Sequence, residues 1–412
     1  MAYNIILDIL IILTAAIISG EIFEQLNLPG IAGQLLSGLV LGPSLLNIIT
    51  YNNEISGITS IAIFFIVFLI GIEMNTDVLM MHFKKAFTLS IVSFIIPFVI
   101  ELFLLIHILN IGVTETSIIA LATVIPSISI ISILVKKYSL MKRDIGKIII
   151  SSVVISDIIG FIILSYFSNA SNGLSSVLLP LLLLLILYFG FDYIINKNKW
   201  AFRKFLNIIW MKFRSTHFSY AFLIIFGLLV SMVFNSIGIS YIIGAFFAGL
   251  IINKGIIGNE YFGNVSRTLN RINDSFFIPI FFGAAGLEAV IAYSNISLML
   301  EILIFVFIAF IIAYILSFKL AKSIIDKKEK DRSRKVAGII SGRGAVGIAI
   351  AVIALNEGLI NQGAYSIIIT TSVVVSIIAG ILLYGIKINY KDTKYIKSKS
   401  SKNKSKISQK YK

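Results

Sequence analysis

Apolar residues occur in long runs along most of the chain, and polar residues are concentrated in the short segments between them. Thirteen runs can be distinguished, each of about 20 residues, the length of helix that crosses about 30 Å of hydrocarbon. They cover residues 4–26, 31–50, 56–74, 86–109, 115–136, 146–167, 175–196, 218–235, 239–253, 275–293, 297–319, 336–356 and 365–387. Because helices satisfy their own backbone hydrogen bonds in lipid, the pattern predicts an all-α polytopic membrane protein with about 13 transmembrane helices.

From the third apolar run onward, lysine and arginine occur after every second run. They lie in the segments after the third, fifth, seventh, ninth and eleventh runs, and the segments after even-numbered runs contain none. The basic segments contain Lys84 and Lys85; Lys136, Lys137, Lys142 and Arg143; Lys197 to Arg214; Lys254, Arg267 and Arg271; and Lys319 to Lys335. By the positive-inside rule, we expect a multi-pass protein of the cell membrane with its N-terminus outside and its C-terminus in the cytoplasm.

The net charge of +15 is explained by this topology, so it does not indicate a nucleic-acid surface. Residues 388–412 are rich in Lys, Ser and Asn, and we expect them to form a basic, disordered cytoplasmic tail. Its lysines can hold the tail on anionic membrane lipids, or they can serve only to keep it soluble and cytoplasmic. The chain has no cysteine, which excludes disulfides and thiolate metal sites.

An internal repeat links runs that are seven positions apart. "GQLLSGLVL" at 33–41 in the second run is similar to "GAFFAGLII" at 244–252 in the ninth. "FFIVFLIGIE" at 64–73 in the third run is similar to "FFIPIFFGAAGLE" at 276–288 in the tenth. Seven is an odd number, so the two copies face opposite ways across the bilayer. Inverted repeats of this kind are typical of secondary transporters.

The fifth run contains a helix breaker at membrane depth. Pro126 lies within "ATVIPSISI" at 122–130. Proline has no N–H, so the carbonyl of Ala122 loses its helical partner. Non-helical backbone at this depth is tolerated only where it is buried in protein or lines a watery cavity.

The twelfth run, the repeat partner of the fifth, contains "SGRGAVGIAI" at 341–350, with glycines at Gly342, Gly344 and Gly347. This spacing resembles a dinucleotide-binding fingerprint, which also requires an acidic residue about 20 positions further on. That position holds Gln362. We therefore interpret the glycines as the interruption of a membrane helix. Two broken helices that cross would present half-helix ends and free carbonyls to a small cation.

Asp157 lies near the centre of the sixth run, in "SSVVISDIIGFII" at 151–163. An acidic residue inside a membrane is costly and is therefore a functional candidate. Such a carboxyl group can hold either a proton or a desolvated cation, and competition between these two ligands for one site produces antiport. The oxygens that can assist it are those of Ser156, Thr123, Ser127 and the Ala122 carbonyl. The alternative role for Asp157 is that of an interhelical hydrogen-bond or ion-pair partner.

Other charged residues give weaker signals. Glu73 ends the third run and is either an entrance carboxylate or a residue that reaches the membrane boundary. Arg343 can pair with a carboxylate or neutralise half-helix ends, and we favour this structural role over substrate contact. Glu101, Glu288 and Glu301 are expected to be interfacial.

Five motifs of the chain are similar to those of the monovalent cation:proton antiporter superfamily. They are "LPGIAGQLLSGLVLGPSLLN" at 28–47, "FLIGIEMNTDVL" at 68–79, "SYIIGAFFAGLII" at 240–252, "IPIFFGAAGLE" at 278–288 and "GRGAVGIAIAVIA" at 342–354. They follow one another in family order. The chain resembles the branch that contains bacterial and archaeal Na⁺/H⁺ antiporters and the membrane domain of glutathione-gated K⁺ efflux systems.

This resemblance implies a membrane transporter domain over residues 1–387 that forms a homodimer. The implied parts are a dimerisation side (1–80 and 218–293), an ion-carrying core (86–167 and 297–387) and a linker helix (175–196). The resemblance also implies an elevator-like movement of the core, and it assigns the ion-binding carboxylate to the position of Asp157.

Two departures from the family pattern affect the expected stoichiometry. The family usually has Asp-Asp or Asn-Asp in the sixth run, where this chain has Ser156 and Asp157, and many electrogenic relatives have a lysine in the eleventh run, which here is free of basic residues before Lys319. One deep carboxylate without a buried lysine favours electroneutral exchange of one monovalent cation for one proton.

Na⁺ is the cation that we expect to be exchanged, with K⁺ and Li⁺ as alternatives. A passive or gated cation channel and a sodium-coupled organic-anion symporter are the competing functions. We expect no cofactor, no metal beyond the transported cation and no enzymatic activity, because His107 and His217 lack partners for catalysis.

Overall fold

A computed structural model describes residues 5–26, 28–73, 81–109, 112–126, 131, 135, 140, 144–168, 216–236, 241–252, 259–291, 296–324, 337 and 345–384. Helices and short connections account for these ranges, and no strand occurs within them. The all-α class predicted from the apolar runs is confirmed for this part of the chain.

The helices are named here in chain order. They are α1 (Ile5–Gln25), α2 (Gly30–Leu41), α3 (Asn53–Glu73), α4 (Phe83–Ser90), π1 (Ile91–Ile95), α5 (Ile96–Leu109), α6 (Val113–Val124), α7 (Asp144–Ser168), α8 (Thr216–Ser236), α9 (Tyr241–Ile251), α10 (Asn259–Ile272), π2 (Asn273–Phe277), α11 (Ile278–Glu288), α12 (Ile296–Ile324), α13 (Ala345–Asn356) and α14 (Gln362–Tyr384).

Every predicted run except the seventh overlaps one of these helices. The seventh run, 175–196, and the tail, 388–412, lie outside the described residues. Within the described residues, five helical stretches are long and apolar enough to cross a membrane: Ile5–Gln25, Asn53–Ile72, Phe83–His107, Asp144–Leu164 and Met299–Leu320. The total of 13 transmembrane helices stays a prediction.

The segment after the ninth run, predicted as a basic loop, contains the polar helix α10. This helix carries Arg267 and Arg271 and continues through π2 directly into α11. Its Leu269 is buried in a cluster with Phe68 and Leu223. The helix is too polar to stand out as a long apolar run, but apolar residues recur in it every three or four positions, which is the pattern of an amphipathic helix: Phe262, Val265, Leu269 and Ile272.

Two helix pairs, α2 with α11 and α3 with α9, pack backbone against backbone in the same way. A Cβ atom on Gly38 would lie 2.0 Å from the carbonyl oxygen of Gly283, and one on Gly286 would lie 2.1 Å from that of Leu35. At the positions that correspond in the repeat, a Cβ atom on Gly249 would lie 2.1 Å from the carbonyl oxygen of Phe68, and one on Gly71 would lie 2.2 Å from that of Phe246. Small residues permit such close contacts between membrane helices, and the predicted repeat thus produces two equivalent helix pairs.

The described helices contact one another in two groups. The first helix group comprises α1, α2, α3, α8, α9, α10 and α11, and the second comprises α4 to α7 and α12 to α14. The main contacts between the groups are those of α14 with α2 and α11. Large apolar side chains on the outer faces of α1, α8 and α12 remain exposed, among them Leu10, Met232 and Ile304. Such surfaces suit a hydrocarbon environment.

Candidate ion-binding site

Asp157 lies near the middle of α7, thirteen residues after its first residue and eleven before its last. The side chain is 1% exposed, and neither carboxyl oxygen has a hydrogen-bond partner among the described residues. α7 contacts α4, π1, α6 and α13, so protein surrounds the carboxyl group. Buried polar atoms without partners are costly, and a ligand on these oxygens would offset that cost.

Ser156 connects α7 to α4. Its Oγ lies 2.8 Å from Ser90 Oγ and donates a hydrogen bond of 3.0 Å to the Ser152 carbonyl. A hydroxyl has one proton and two lone pairs. With its proton given to Ser152 and with Ser90 as a donor, Ser156 Oγ retains one lone pair for a cation.

The backbone widens into the π-helical turn π1 directly after Ser90. Ser93 in this turn is buried, and its hydroxyl has no hydrogen-bond partner among the described residues. Turns of this kind are rare and are frequent at functional sites. Because π1 contacts α7, Ser93 is a candidate oxygen that our reading of the sequence missed. A five-residue turn leaves no signal in hydropathy.

α6 ends at Val124, two residues before Pro126. Ile125 has an extended backbone with φ −61° and ψ 128°, and its N–H still donates to the Leu121 carbonyl at 3.1 Å. Pro126 cannot supply the next donor, so the carbonyl of Ala122 is left at the end of the helix without its α-helical partner.

Two glycines bring other helices onto this helix end. A Cβ atom on Gly347 of α13 would lie 2.0 Å from the Ala122 carbonyl oxygen, and one on Gly160 of α7 would lie 2.4 Å from Ile125 Cδ1. Gly160 follows Asp157 by about one helical turn. The end of α6, the start of α13 and the helix of Asp157 therefore meet at one place.

Thr123 makes its contacts on another side of α6. Its Oγ1 donates a hydrogen bond of 2.6 Å to Glu101 Oε1 and lies 2.7 Å from the Ile119 carbonyl. Glu101 is 0% exposed, so the expectation that it is interfacial is wrong. It lies eight residues before the end of α5, a depth of about 12 Å along a helix, and this spacing indicates its depth in the run but not its burial against other helices.

The structure does not place several of the predicted site residues. Ser127, Gly342, Arg343 and Gly344 lie outside the described residues, and for Glu73 only its place as the last residue of α3 is described. Glu301 is exposed, whereas Glu288, the last residue of α11, is intermediate in exposure.

Side chains of α14 satisfy backbone groups at the C-terminal end of α11. Tyr365 Oη donates to the Ala285 carbonyl at 2.9 Å, Gln362 Nε2 donates to the Glu288 carbonyl, and the Val290 N–H donates to Ser366 Oγ at 2.8 Å. A helix end leaves its last carbonyls without helical donors. Tyr365 and Gln362 supply donors there, Ser366 accepts from a backbone N–H, and the three hydrogen bonds join the two helix groups.

Oxygen atoms are the ligands that this site offers to a cation. Within the described ranges, no group of three or more His, Cys, Asp or Glu side chains could hold a metal ion. One carboxylate with hydroxyl and carbonyl oxygens suits a hard cation.

The model of the family described as "sodium/hydrogen exchanger, transmembrane" matches residues 9–386. A Na⁺/H⁺ antiporter of Enterococcus hirae is 27% identical over 379 residues, which cover 90% of this chain and 95% of that protein. A probable Na⁺/H⁺ antiporter of Methanocaldococcus jannaschii is 28% identical over 298 residues, or 71% of this chain and 75% of that protein.

The fold is also similar to that of a solved structure. The sodium proton antiporter MjNhaP1 from Methanocaldococcus jannaschii aligns with a TM-score of 0.65 over 92% of this chain and 98% of that chain, at 19% identity. This similarity establishes the fold of the chain.

Proposed function

Because the chain belongs to the sodium/hydrogen exchanger family of cation:proton antiporters, we propose that Asp157 binds the cation and the proton in turn. The observation that supports this role is the burial of Asp157 without a hydrogen-bond partner among the described residues. The expected substrate is Na⁺, with Li⁺ and K⁺ as alternatives, in exchange for H⁺ across the cell membrane.

Coupling follows from the cost of burying charge. An ionised carboxylate without a partner is strongly disfavoured in a site of low dielectric constant. Asp157 therefore crosses the membrane with either a proton or a cation bound. Movement of the empty, charged site is disfavoured, and this restriction links the flow of one ion to the opposite flow of the other.

Oxygens near Asp157 replace the water lost by the cation. We assign this role to the Ala122 carbonyl and to Ser156 Oγ, with Ser127 as a further candidate. Thr123 Oγ1 is directed to Glu101, so its contribution would come from the position of the α6 backbone. The glycine at Gly347 lets α13 approach this carbonyl, and we propose that α6 and α13 are the two broken helices that cross.

The two helix groups support the expected division into domains. The first helix group would be the dimerisation side and the second the ion-carrying core, which moves against it in an elevator-like cycle. The hydrogen bonds from α14 to the end of α11 then belong to the closed side of the transporter. By the positive-inside rule this side faces outward, with the N-terminus outside and the C-terminus in the cytoplasm.

Two charged residues complete the proposal. Glu73 would act as an entrance carboxylate at the cytoplasmic end of α3, where the repeat places the counterpart of Glu288. Arg343 would offset the negative ends of the half-helices, a structural role that requires no contact with the substrate.

Flux measured in liposomes tests the role of Asp157. The purified protein is reconstituted around a pH-sensitive dye, and proton movement driven by Na⁺, Li⁺ or K⁺ is compared between the parent and Asp157→Asn. We expect cation-driven proton movement to be lost, since asparagine has a similar shape but cannot ionise. Asp144→Asn is the matched control, because Asp144 is an exposed residue at the start of the same helix.

The same liposomes, with uptake of radioactive Na⁺ measured beside the dye signal, distinguish the competing functions. A channel would pass cations in Asp157→Asn without moving protons, and a symporter would take up Na⁺ only when an organic anion is supplied. Coupled exchange that survives Asp157→Asn would contradict the proposed site.

A further inference from the structure

A second carboxyl group is buried in the second helix group. Glu101 of α5 is 0% exposed, although hydrocarbon and protein interiors both disfavour such a group. Its Oε1 accepts a hydrogen bond of 2.6 Å from Thr123 Oγ1, a length expected for an O–H donor to a carboxylate. The contact joins residues 22 positions apart, so it fixes α5 against α6.

This hydrogen bond lies beside the interruption of α6. Thr123 precedes by two residues Ile125, whose backbone is extended, and it follows directly after Ala122. The hydroxyl also lies 2.7 Å from the Ile119 carbonyl, one turn earlier on the same helix. Thr123 is therefore anchored to α5 at the point where the helical hydrogen bonds of α6 stop.

Glu101 and Asp157 approach α6 from different sides. Gly160 of α7 packs on Leu121 and Ile125, which lie on one face of α6 because they are four residues apart. Thr123 is about 200° around the helix from Leu121. The Glu101 contact thus braces α6 on the side away from α7.

We propose that Glu101 is a positioning residue for ion exchange: through Thr123 it holds the broken end of α6 so that the Ala122 carbonyl faces the cation. The inference rests on the proposed role of Asp157. Glu101 itself does not bind the transported ion, and its carboxyl group keeps the same protonation state throughout the cycle.

Substitutions of Thr123 that remove or keep its hydroxyl test this role. Thr123→Val keeps the shape of the side chain and removes the hydroxyl, whereas Thr123→Ser keeps the hydroxyl. We expect Thr123→Val to raise the KM for Na⁺ about tenfold, as for loss of a hydrogen bond to a charged group, with a smaller change in kcat. Thr123→Ser should restore most of this loss. The ratio of KM values for Na⁺ and Li⁺ should also change, because the carbonyl moves relative to the site.

Glu101 is tested by Glu101→Gln, which retains an oxygen acceptor, and by Glu101→Leu, which does not. We expect a modest increase in KM for the first and the Thr123→Val effect for the second. In the double variant Glu101→Leu with Thr123→Val, the two effects should not multiply, because both remove the same interaction. Glu301→Gln and Thr88→Val are matched controls at exposed positions, and neither should change the KM.

Other roles of Glu101 predict different results in these experiments. If Glu101 only stabilises the fold, the variants lower the Tm and the amount of folded protein and leave KM and the Na⁺ to Li⁺ ratio unchanged, which overturns the inference. If Glu101 carries a transported charge, the parent rate depends on membrane potential and Glu101→Gln abolishes exchange or removes that dependence, which also overturns the inference. Asp157→Asn is measured in parallel: loss of exchange there with unchanged KM values in the Thr123 variants rejects this inference alone, and retained exchange rejects the site itself.

Discussion

Gly347 of α13 lies directly against the carbonyl group of Ala122, so close that a Cβ atom would be 2.0 Å from its oxygen. Real Cβ atoms do not approach a backbone oxygen to this distance, and α13 would have to move away from α6. The contact ties the glycine-containing motif of the twelfth run to the proline-containing motif of the fifth.

Gly347→Ala is therefore expected to displace α13 and to reduce cation exchange to a small fraction of the parent rate. Overpacking in a tight interface costs about 1–3 kcal/mol, so the protein should remain folded with a lowered Tm. Exchange in liposomes and thermal unfolding in detergent measure the two effects. Gly57→Ala is the control, since a Cβ atom there meets nothing within 4 Å. Normal exchange by Gly347→Ala would show that this approach is unimportant.

Ser156→Ala removes the hydroxyl that contacts both Ser90 and the Ser152 carbonyl. If the remaining lone pair of Ser156 Oγ binds the cation, the KM for Na⁺ should rise several-fold. Ser90→Ala removes the same interhelical contact but leaves Ser156 in place, so it should lower stability by about 1 kcal/mol with little change in KM. Equal KM values in the two variants would assign Ser156 to helix packing alone.

Most of the described helices could be predicted from sequence because a stretch of about 20 apolar residues has few alternatives to a membrane helix. Pro126 also indicated the end of α6, since proline removes a backbone donor wherever it occurs. α10 was missed because it contains no long apolar run, although its apolar residues, Leu269 among them, recur every three or four positions as in an amphipathic helix.

The side-chain contacts within the site could be predicted less well from the sequence. The sequence identified Asp157 by its depth and Thr123 by its oxygen, but the direction of the Thr123 hydroxyl depends on Glu101, which lies on a different helix. Glu101 was assigned to the membrane interface from its distance to the end of the run. Its burial results from the packing of α5 on α6 and α12, which no local pattern encodes.

Tyr365→Phe tests whether the hydrogen bonds at the end of α11 close the outer side. The variant keeps the buried ring and removes the donor to the Ala285 carbonyl. Loss of one hydrogen bond of about 1 kcal/mol should raise the population of the outward-open state about fivefold.

The measurement uses a cysteine introduced at Ala289, which is buried beside this contact, in a chain that has no other cysteine. A membrane-impermeant thiol reagent added outside should react faster in Tyr365→Phe. A cysteine at Ser297, which is exposed at the start of α12, should react equally in both backgrounds. An unchanged rate at Ala289 would separate these hydrogen bonds from the transport cycle.

The burial of Glu101 bears directly on the expectation of electroneutral exchange. Among the described residues of the second helix group, two carboxyl groups are buried, those of Asp157 and Glu101. If only Asp157 changes its ligand, each half-cycle carries one proton or one monovalent cation, and no net charge moves.

Exchange in liposomes should then proceed at the same rate when a potassium diffusion potential of either sign is applied with valinomycin, with Li⁺ or Na⁺ as the driving cation. A rate that follows the sign of the potential, or a current on a supported membrane that reverses with the ion gradient, would show that a second charge is transported. In that case Glu101→Gln should remove the dependence on potential, whereas the exposed control Glu301→Gln should leave it unchanged.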